Sequence, residues 1–518
     1  MGLARCSGVV LNGVEGLVVE IEAFISQGLP GMNIVGLADT AVGESRDRVR
    51  AAISNSNLPW PGERKITIGL SPASLHKRGA SLDLGIALAI MAANRKIPEL
   101  VDTVVVGELA LDGKVRPIRG VLVAALSAHH AGIKTLLVPF TQVSEANLVP
   151  GLTVVGVSSL NDAVAYATGV DFDLPDISVL ENQTDSPAQF SELLVPDLSD
   201  VRGQPLARRA LEIAAAGGHH IAMMGSPGVG KTMLAQRLPG LLPPLDDKLA
   251  VEVTAIHSAA GKLRTGQGLI RTPPFEAPHH TATTAALIGG GSNTARVGIV
   301  TLAHGGVLCV DEAAEFNRPV LDALRQPLES GVVSIARAGF QIELPARFQL
   351  VLASNPCPCG KFVGTGSECS CAPIIRRRYL ARLSGPLLDR IDLRVTLNRP
   401  TLAELDSSLN SSVNAIEDTA SARARVLAAR ARAAKRFENT PWLLNANIPG
   451  PQLRKRFPLN QKAKQLLLKS AKSFSARGID RTIRIAWTIA DLADHPEPTI
   501  SDIEQALIFR DGNGSWQC

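Results

Sequence analysis

A chain of 518 residues, 45% hydrophobic and 19% charged, is too apolar for a disordered polymer and too long for one hydrophobic core, so two or three domains are expected. Aromatic residues at 4% speak against base stacking as a way to bind nucleic acid, though not against gripping phosphates. The net charge of +5 is uneven: residues 372–518 carry 24 Lys and Arg against 14 Asp and Glu, and the other 371 carry 29 against 34.

The basic C-terminal portion fits either a polyanion-facing surface or solvated helix faces with nucleotide-contacting arginines. The opening residues Met1-Gly-Leu-Ala-Arg-Cys-Ser7 lack the apolar core and cleavage site of a signal peptide. The longest apolar run, Leu84 to Ala93, is about half a membrane span. Seven cysteines, an odd number, argue against a disulfide framework. A cytoplasmic protein with no membrane association is expected.

Residues 1–168 alternate short apolar strands (Gly16–Ile21, Lys65–Leu70, Thr103–Val106, Thr135–Val138) with the predicted helices Ala41–Ser54 and Asp83–Ala93, the pattern of a compact α+β domain. Residues 169–200 read as an acidic linker. Asp171 to Asp200 holds eight acidic residues, no Lys or Arg, and Pro175, Pro187 and Pro196. Residues 201–400 change to strand–loop–helix units with long strands, an α/β nucleotide-binding pattern. Residues 401–518 predict an all-helical lid from Leu402–Phe437, Lys462–Leu492 and Ile500–Phe509. There is no fixed-period repeat.

His219–Met224 reads as a strand that runs into Gly225-Ser226-Pro227-Gly228-Val229-Gly230-Lys231-Thr232, followed by a helix over Met233–Arg237. This is the phosphate-binding G-x-x-x-x-G-K-[ST] loop in its strand–turn–helix setting. Glycines let backbone N–H groups converge on phosphate oxygens, and the helix N-terminus adds about half a positive charge. Lys231 is expected to reach the β- and γ-phosphates of ATP, and Thr232 to ligate Mg²⁺. About 80 residues on, Gly306–Glu312 predicts a buried strand ending in two carboxylates. Asp311 is expected to hold the Mg²⁺-bound water, and Glu312 to polarise the attacking water. Glu315 reads as a surface acid. A third strand, Phe348–Asn355, ends in Asn355, which either orients that water or caps a turn before Pro356.

Arg390, in Pro386-Leu-Leu-Asp-Arg-Ile-Asp-Leu393, either satisfies Asp389 and Asp392 or projects into the nucleotide of an adjacent subunit. Arg477, Arg481 and Arg484 share one face of a predicted helix, and Arg477 is the first candidate to reach ATP from the lid. Cys357, Cys359, Cys369 and Cys371 form a C-x-C…C-x-C cluster open to three readings: a tetrahedral Zn²⁺ site, reduced structural thiols, or a redox pair. His279 and His280 either line a central pore or lie buried and hydrogen-bonded. His219 and His220 read as packed.

Together these residues resemble the ComM/YifB family of magnesium-chelatase-like AAA+ proteins. The likeness runs over nearly the whole chain. It is carried by Gly28–Asp39, Val201-Arg-Gly-Gln204, Arg209–Gly218, Ala277-Pro-His-His-Thr281, Leu302-Ala-His304, Leu324–Glu329, Asn355-Pro-Cys-Pro-Cys-Gly360 and Arg382–Asp392. Two small departures touch no group assigned to chemistry: Asp311–Glu315 lacks a proline common in the family, and Ser354 stands in place of a usual methionine.

The resemblance implies a multidomain α/β fold: a Lon-protease-like α+β N-terminal domain, an AAA+ P-loop α/β core, and a helical magnesium-chelatase-type C-terminal lid. It implies that Arg390 is a trans-acting finger, that Arg477 is a lid sensor, and that Gln204 flanks adenine. In the Lon-like part the lysine position of the Ser–Lys dyad falls at Leu122. Ser81, near the serine position, would lack its base, so the domain is read as non-proteolytic, for assembly or DNA contact. The function implied is a homo-oligomeric, hexameric, ATP- and Mg²⁺-dependent motor driving DNA branch migration in natural transformation. Two alternatives from other classes are a magnesium-chelatase-type motor subunit and an ATP-switched scaffold or chaperone.

Overall fold

The computed structural model describes residues 2–36, 40–72, 79–173, 196–290, 296–337, 340–362, 366–399, 417–470 and 474–511. The first strands, β1 (Gly2–Asn12) and β2 (Glu15–Ser26), form an antiparallel hairpin. In β2 the alternation of period two buries Val19, Ile21, Ala23 and Ile25. β3 (Gly31–Val35) and β4 (Lys65–Ser71) extend that edge, and β5 (Thr103–Val105) pairs with the other side of β1. After a small hairpin of β6 (Glu108–Leu109) and β7 (Val115–Arg116), β8 (Thr135–Pro139) and β9 (Thr153–Val157) complete a sheet of order β3-β4-β2-β1-β5-β8-β9. The helix Asp83–Ala93 is buried almost throughout and packs on one face, while Val121–His130 packs on the other.

The helix expected at Asp83–Ala93 is observed with those bounds, and the strand expected at Gly16–Ile21 is longer at both ends. β1 carries no clean sequence signal. Its pattern is diluted by glycine: a Cβ at Gly8 would lie 2.6 Å from Leu82 Cδ2, so the helix approach demands the residue that weakens the strand pattern.

Most of the acidic stretch, residues 174–195, lies outside the described residues. Its last residues correct the expectation of a linker up to 200. Asp197 caps the turn Leu198–Asp200, Leu198 is buried, and Arg237 pairs with Asp200 at 2.7 Å. The buried Arg237 draws in the nearest acid.

The second sheet begins with β10 (Ile221–Gly225) and β11 (Phe275–Glu276). A hairpin of β12 (Gly289–Gly290) and β13 (Arg296–Val297) precedes β14 (Val307–Val310). A second, of β15 (Val332–Arg337) and β16 (Phe340–Pro345), precedes β17 (Gln349–Ser354) and β18 (Leu393–Leu397). The order is β11-β14-β17-β10-β18, with every pair parallel. Instead of the long strands expected, these hold two to six residues; parallel strands covered on both faces need only span the buried layer. Ile221 and Met223 face the helices Pro205–Gly217 and Lys231–Leu241, and Ala222 and Met224 face a second core with Phe316, Leu321 and Leu387.

The C-terminal helices are Thr419–Arg436, Gly450–Arg456, Gln461–Ser470, Ala476–Ala493 and Ile500–Asp511. The single helix expected over Lys462–Leu492 is two, because Ser475 accepts the Gly478 N–H at 3.2 Å and caps a new start. Val426, Ala429, Trp487, Ile503 and Phe509 join the core that holds Leu211, Ile221 and Leu393.

A buried ionic network ties the same helices to the N-terminal edge of the sheet. Asp392 receives Arg481 and, at 3.3 Å, His219 Nδ1. His219 Nε2 meets Thr488 Oγ1 at 2.7 Å, and Asn445 links Thr488 to Asp491, which pairs with Arg436 at 2.5 Å. Burial alone would raise the Asp392 carboxyl, but Arg481 with His219 and His220 outweighs it and holds the group well below the usual carboxylate range.

Candidate nucleotide-binding site

Because every pair in the second sheet is parallel, the C-terminal ends of β10, β14 and β17 open on one edge, where ligands of such sheets bind. β10 delivers Gly225 and the loop to Thr232, β14 delivers Asp311 and Glu312, and β17 delivers Asn355. The loop turns through left-handed φ of +78° at Gly228 and +94° at Gly230, and there is open space within 4 Å of where their side chains would stand. The helix Lys231–Leu241 follows directly and starts earlier than the expected Met233.

Lys231 is buried, and its Nζ donates to the Gly225 carbonyl at 2.7 Å, the Ser226 carbonyl at 2.9 Å and Asn355 Oδ1 at 3.0 Å. Burial lowers its pKa, opposed by Asp311 and Glu312. Its three partners are neutral acceptors, so the ammonium is held at the loop without a direct counter-ion. Thr232 Oγ1 donates to Asp311 Oδ2 at 2.5 Å, which joins the two oxygen donors expected to share Mg²⁺. Asn355 thus faces the cradle through Lys231, in addition to any role before Pro356. Pro227 is exposed at the loop tip and Val229 is buried beneath it. Gln204 takes φ +56° at the start of the helix Pro205–Gly217, and its Nε2 donates to the Asn398 carbonyl at 2.5 Å, just past the end of β18 on the same edge.

Glu312 also has a left-handed φ, +49°, and its Oε2 lies 3.3 Å from His280 Nδ1. His280 packs on the His279 ring at 4.1 Å, and His279 Nδ1 meets Thr281 Oγ1 at 2.8 Å. Neither histidine of this pair is buried, and His280 turns to the carboxylate. The contact was legible only from topology: β11 adjoins β14, so the residues after β11 come beside the residues after β14. Glu315 pairs with Arg382 at 3.7 Å, away from Lys231's partners.

Arg390 is buried and held by neither flanking acid. It pairs with Glu329, donates to the Pro386 carbonyl at 2.6 Å, and keeps a buried Nε without a hydrogen-bond partner. Local satisfaction by Asp389 and Asp392 is therefore corrected: Asp392 is already committed to Arg481 and His219. The predicted arginine face of the lid divides as well. Arg481 reaches Asp392, at the strand end opposite the phosphate loop, and Arg484 is half-buried near the same acid. Arg477 is exposed in the first turn of Ala476–Ala493.

Cys357, Cys359, Cys369 and Cys371 converge with all four sulfurs within 4.8 Å of one another, and Cys357 is buried. In the N-terminal sheet, Ser81 Oγ donates to the Val9 carbonyl at 3.3 Å, and Leu122 is buried. Among the described residues no helix is long and apolar enough to cross a membrane.

A phosphate loop, a strand-end Asp–Glu pair and a polar third strand end on one edge of a parallel sheet, with helices docked behind, define a magnesium-chelatase-like AAA+ protein. The family described as magnesium chelatase, subunit ChlI, matches residues 197–405, and models of that subunit and of its C-terminal part match residues 21–142 and 416–510.

The chain belongs to the ComM/YifB family. It is 39% identical to the competence protein ComM of Haemophilus influenzae over 98% of both chains. It is 39% identical to YifB of Escherichia coli over 96% of this chain and 95% of that one. It is also 47% identical to an uncharacterised protein of Mycobacterium tuberculosis over 98% and 99% of the two. A local likeness, 30% over 139 residues, joins it to the Lon protease of Trichlorobacter lovleyi, covering 26% of this chain and 17% of that one.

Proposed function

We propose that this chain is an ATP-driven ring motor acting on DNA, a branch-migration translocase that supports recombination in competence. The observation that carries the reading is the gathering of Lys231, Thr232, Asp311, Glu312 and Asn355 on one sheet edge, within a chain that matches ComM from end to end. We read it as an N-terminal Lon-like unit, an acidic connection, an AAA+ core and a helical C-terminal unit.

ATP fits the cradle because the open glycine turns leave backbone N–H groups free to converge on phosphates and Lys231 already sits among them. Thr232 and Asp311 would hold Mg²⁺, which offsets phosphate charge when bound. Lys231 then exchanges its carbonyl partners for phosphate oxygens. Glu312 leaves His280 and polarises the attacking water, which Asn355 helps to orient. Arg390 exchanges Glu329 for the nucleotide of a neighbouring protomer, and its unpartnered Nε favours that exchange. Arg477, exposed at the front of its helix, is read as serving a nucleotide from the lid. The basic C-terminal portion supports a polyanion partner.

The test measures ATP turnover alone, with forked or single-stranded DNA, and with a porphyrin. The reading expects marked stimulation by DNA at low salt and none by porphyrin. Indifference to DNA with porphyrin stimulation would support the chelatase motor that the family description names, and indifference to both a scaffold.

A further inference from the structure

The segment between β17 and the helix Pro373–Leu380 touches the phosphate loop twice. At its start, Asn355 accepts a hydrogen bond from Lys231 at 3.0 Å. Five residues later Gly360 meets the Pro227 ring. A Cβ on Gly360 would stand 2.3 Å from Pro227 Cδ and 2.7 Å from Cγ, and the Gly360 φ of +72° is left-handed. Both the turn and the close approach require glycine here.

The turn that presents Gly360 is built from two of the four cysteines. Gly360 N–H donates to the Cys357 carbonyl at 2.9 Å, and Cys359 is its immediate neighbour. The second cysteine pair comes from a like turn, where Cys369 N–H donates to the Gly366 carbonyl at 3.0 Å. Cys357 Sγ lies 3.3 Å from Cys359 Sγ and 3.7 Å from Cys369 Sγ, and Cys359 and Cys369 are 3.7 Å apart. Four thiolates around tetrahedral zinc, at about 2.3 Å each, stand about 3.8 Å from one another. Three of the donors therefore already have close to the spacing the ion imposes, and Cys371 Sγ lies within 4.8 Å of each of them. Arg376, over the Phe362 ring at 3.9 Å, fixes the outer side of the same turn.

We propose that zinc bound by Cys357, Cys359, Cys369 and Cys371 braces the phosphate loop through the Gly360–Pro227 contact, so that nucleotide affinity depends on the metal. The inference rests on the reading of the cradle as an ATP site and adds a control to it. The loop has open space around Gly228 and Gly230; it is anchored below by Val229 and at Lys231, and on the side of the cysteine turns it is met by Gly360 at Pro227. Joining the two cysteine turns through one ion removes chain freedom from Gly360 before nucleotide arrives. Without the ion, that ordering cost falls on nucleotide binding.

The test uses the full-length protein under reducing conditions, with zinc counted by elemental analysis and affinity read with a fluorescent ATP analogue and added Mg²⁺. Purified wild type should carry about one zinc per chain. Chelated protein, and the Cys359→Ser/Cys369→Ser variant, should bind the analogue about tenfold more weakly, with zinc restoring the chelated wild type but not the variant. Gly360→Ala should keep its zinc and lose affinity to a similar degree, whereas Gly385→Ala, where a Cβ meets nothing within 4 Å, should lose none.

Wild type without zinc, or folded metal-free protein with full affinity, overturns the proposal. Should metal removal unfold the chain, Gly360→Ala decides alone, and full affinity at full zinc content overturns it. Zinc-loaded wild type that binds no nucleotide overturns instead the ATP reading on which this one stands.

Discussion

β10 is only five residues long, yet its two ends are built on opposite principles. At the N-terminal end His219, Asp392, Thr488, Asn445 and Asp491 are bonded to one another, and Arg481 is tied to Asp392, although its buried Nε has no partner. At the C-terminal end Lys231 rests on neutral acceptors, Gly228 and Gly230 face open space, and Glu312 is held by a part-exposed histidine. A buried network whose acids and acceptors are already committed to one another has little left to offer a ligand, and it fixes the helices that share it. An edge with replaceable partners can exchange them for a phosphate. The strand thus joins a structural clamp to a reactive edge.

If that contrast is right, substitutions at the two ends separate function from stability. Lys231→Ala should weaken ATP binding by about 30-fold or more and reduce turnover to background, with an unchanged melting temperature, as read by nucleotide titration and calorimetry. Glu312→Gln should still bind ATP while turnover falls by about 10²–10⁴, and turnover at the wild-type rate would remove the base assignment.

At the other end, Asp392→Asn should cost about 3 kcal/mol of folding stability in a denaturant titration, because it removes the buried carboxylate that pairs with the half-buried Arg481. The same experiment on Lys231→Ala provides the internal control. Equal stability losses in both variants would erase the distinction between the two ends.

The smallest expected effect is on pH dependence. Burial pushes His220 down to about 4, only partly offset by Asp392, with Arg481 and His219 adding to the depression. Because the unfolded histidine takes a proton near pH 6.5, the stabilisation is fully present above that value and erodes as pH falls towards 4. Asp392 acts lower, since its carboxyl stays ionised well below the usual range. His257 and His304 are also lowered, chiefly by burial, and contribute to the same slope. His220 Nδ1 accepts the Leu350 N–H at 3.0 Å, so His220→Asn can keep an acceptor and should flatten melting temperature against pH between 6.5 and 4. An unchanged slope would contradict the burial of a neutral imidazole.

Much of the reactive edge was legible in the sequence because its chemistry needs particular residues at short spacing. The loop Gly225–Thr232 and the pair Asp311–Glu312 stand out as strings, and the structure brings them together through Thr232 and Asp311. The helix Asp83–Ala93 was legible for a different reason, since an unbroken apolar run has few other homes.

What escaped depends on pairings between distant segments. His280 meets Glu312 across two strands, Glu329 meets Arg390 from 61 residues away, and Asp392 serves Arg481 from the lid. Charge proximity in sequence offered Arg390 the acids Asp389 and Asp392 as one of two readings, but Asp392 is committed to Arg481 and His219. The separate start of the helix Ala476–Ala493 escaped because Ser475 reads as an ordinary polar position until its hydroxyl is seen to cap.

The account turns on a cradle in one protomer being completed by Arg390 of another. The most direct measurement is ATP turnover in mixtures of wild type and Arg390→Ala at constant total concentration. The account predicts activity falling well below the proportion of wild type, since each substituted chain disables a neighbour's site. A decline in strict proportion to the wild-type fraction would contradict it.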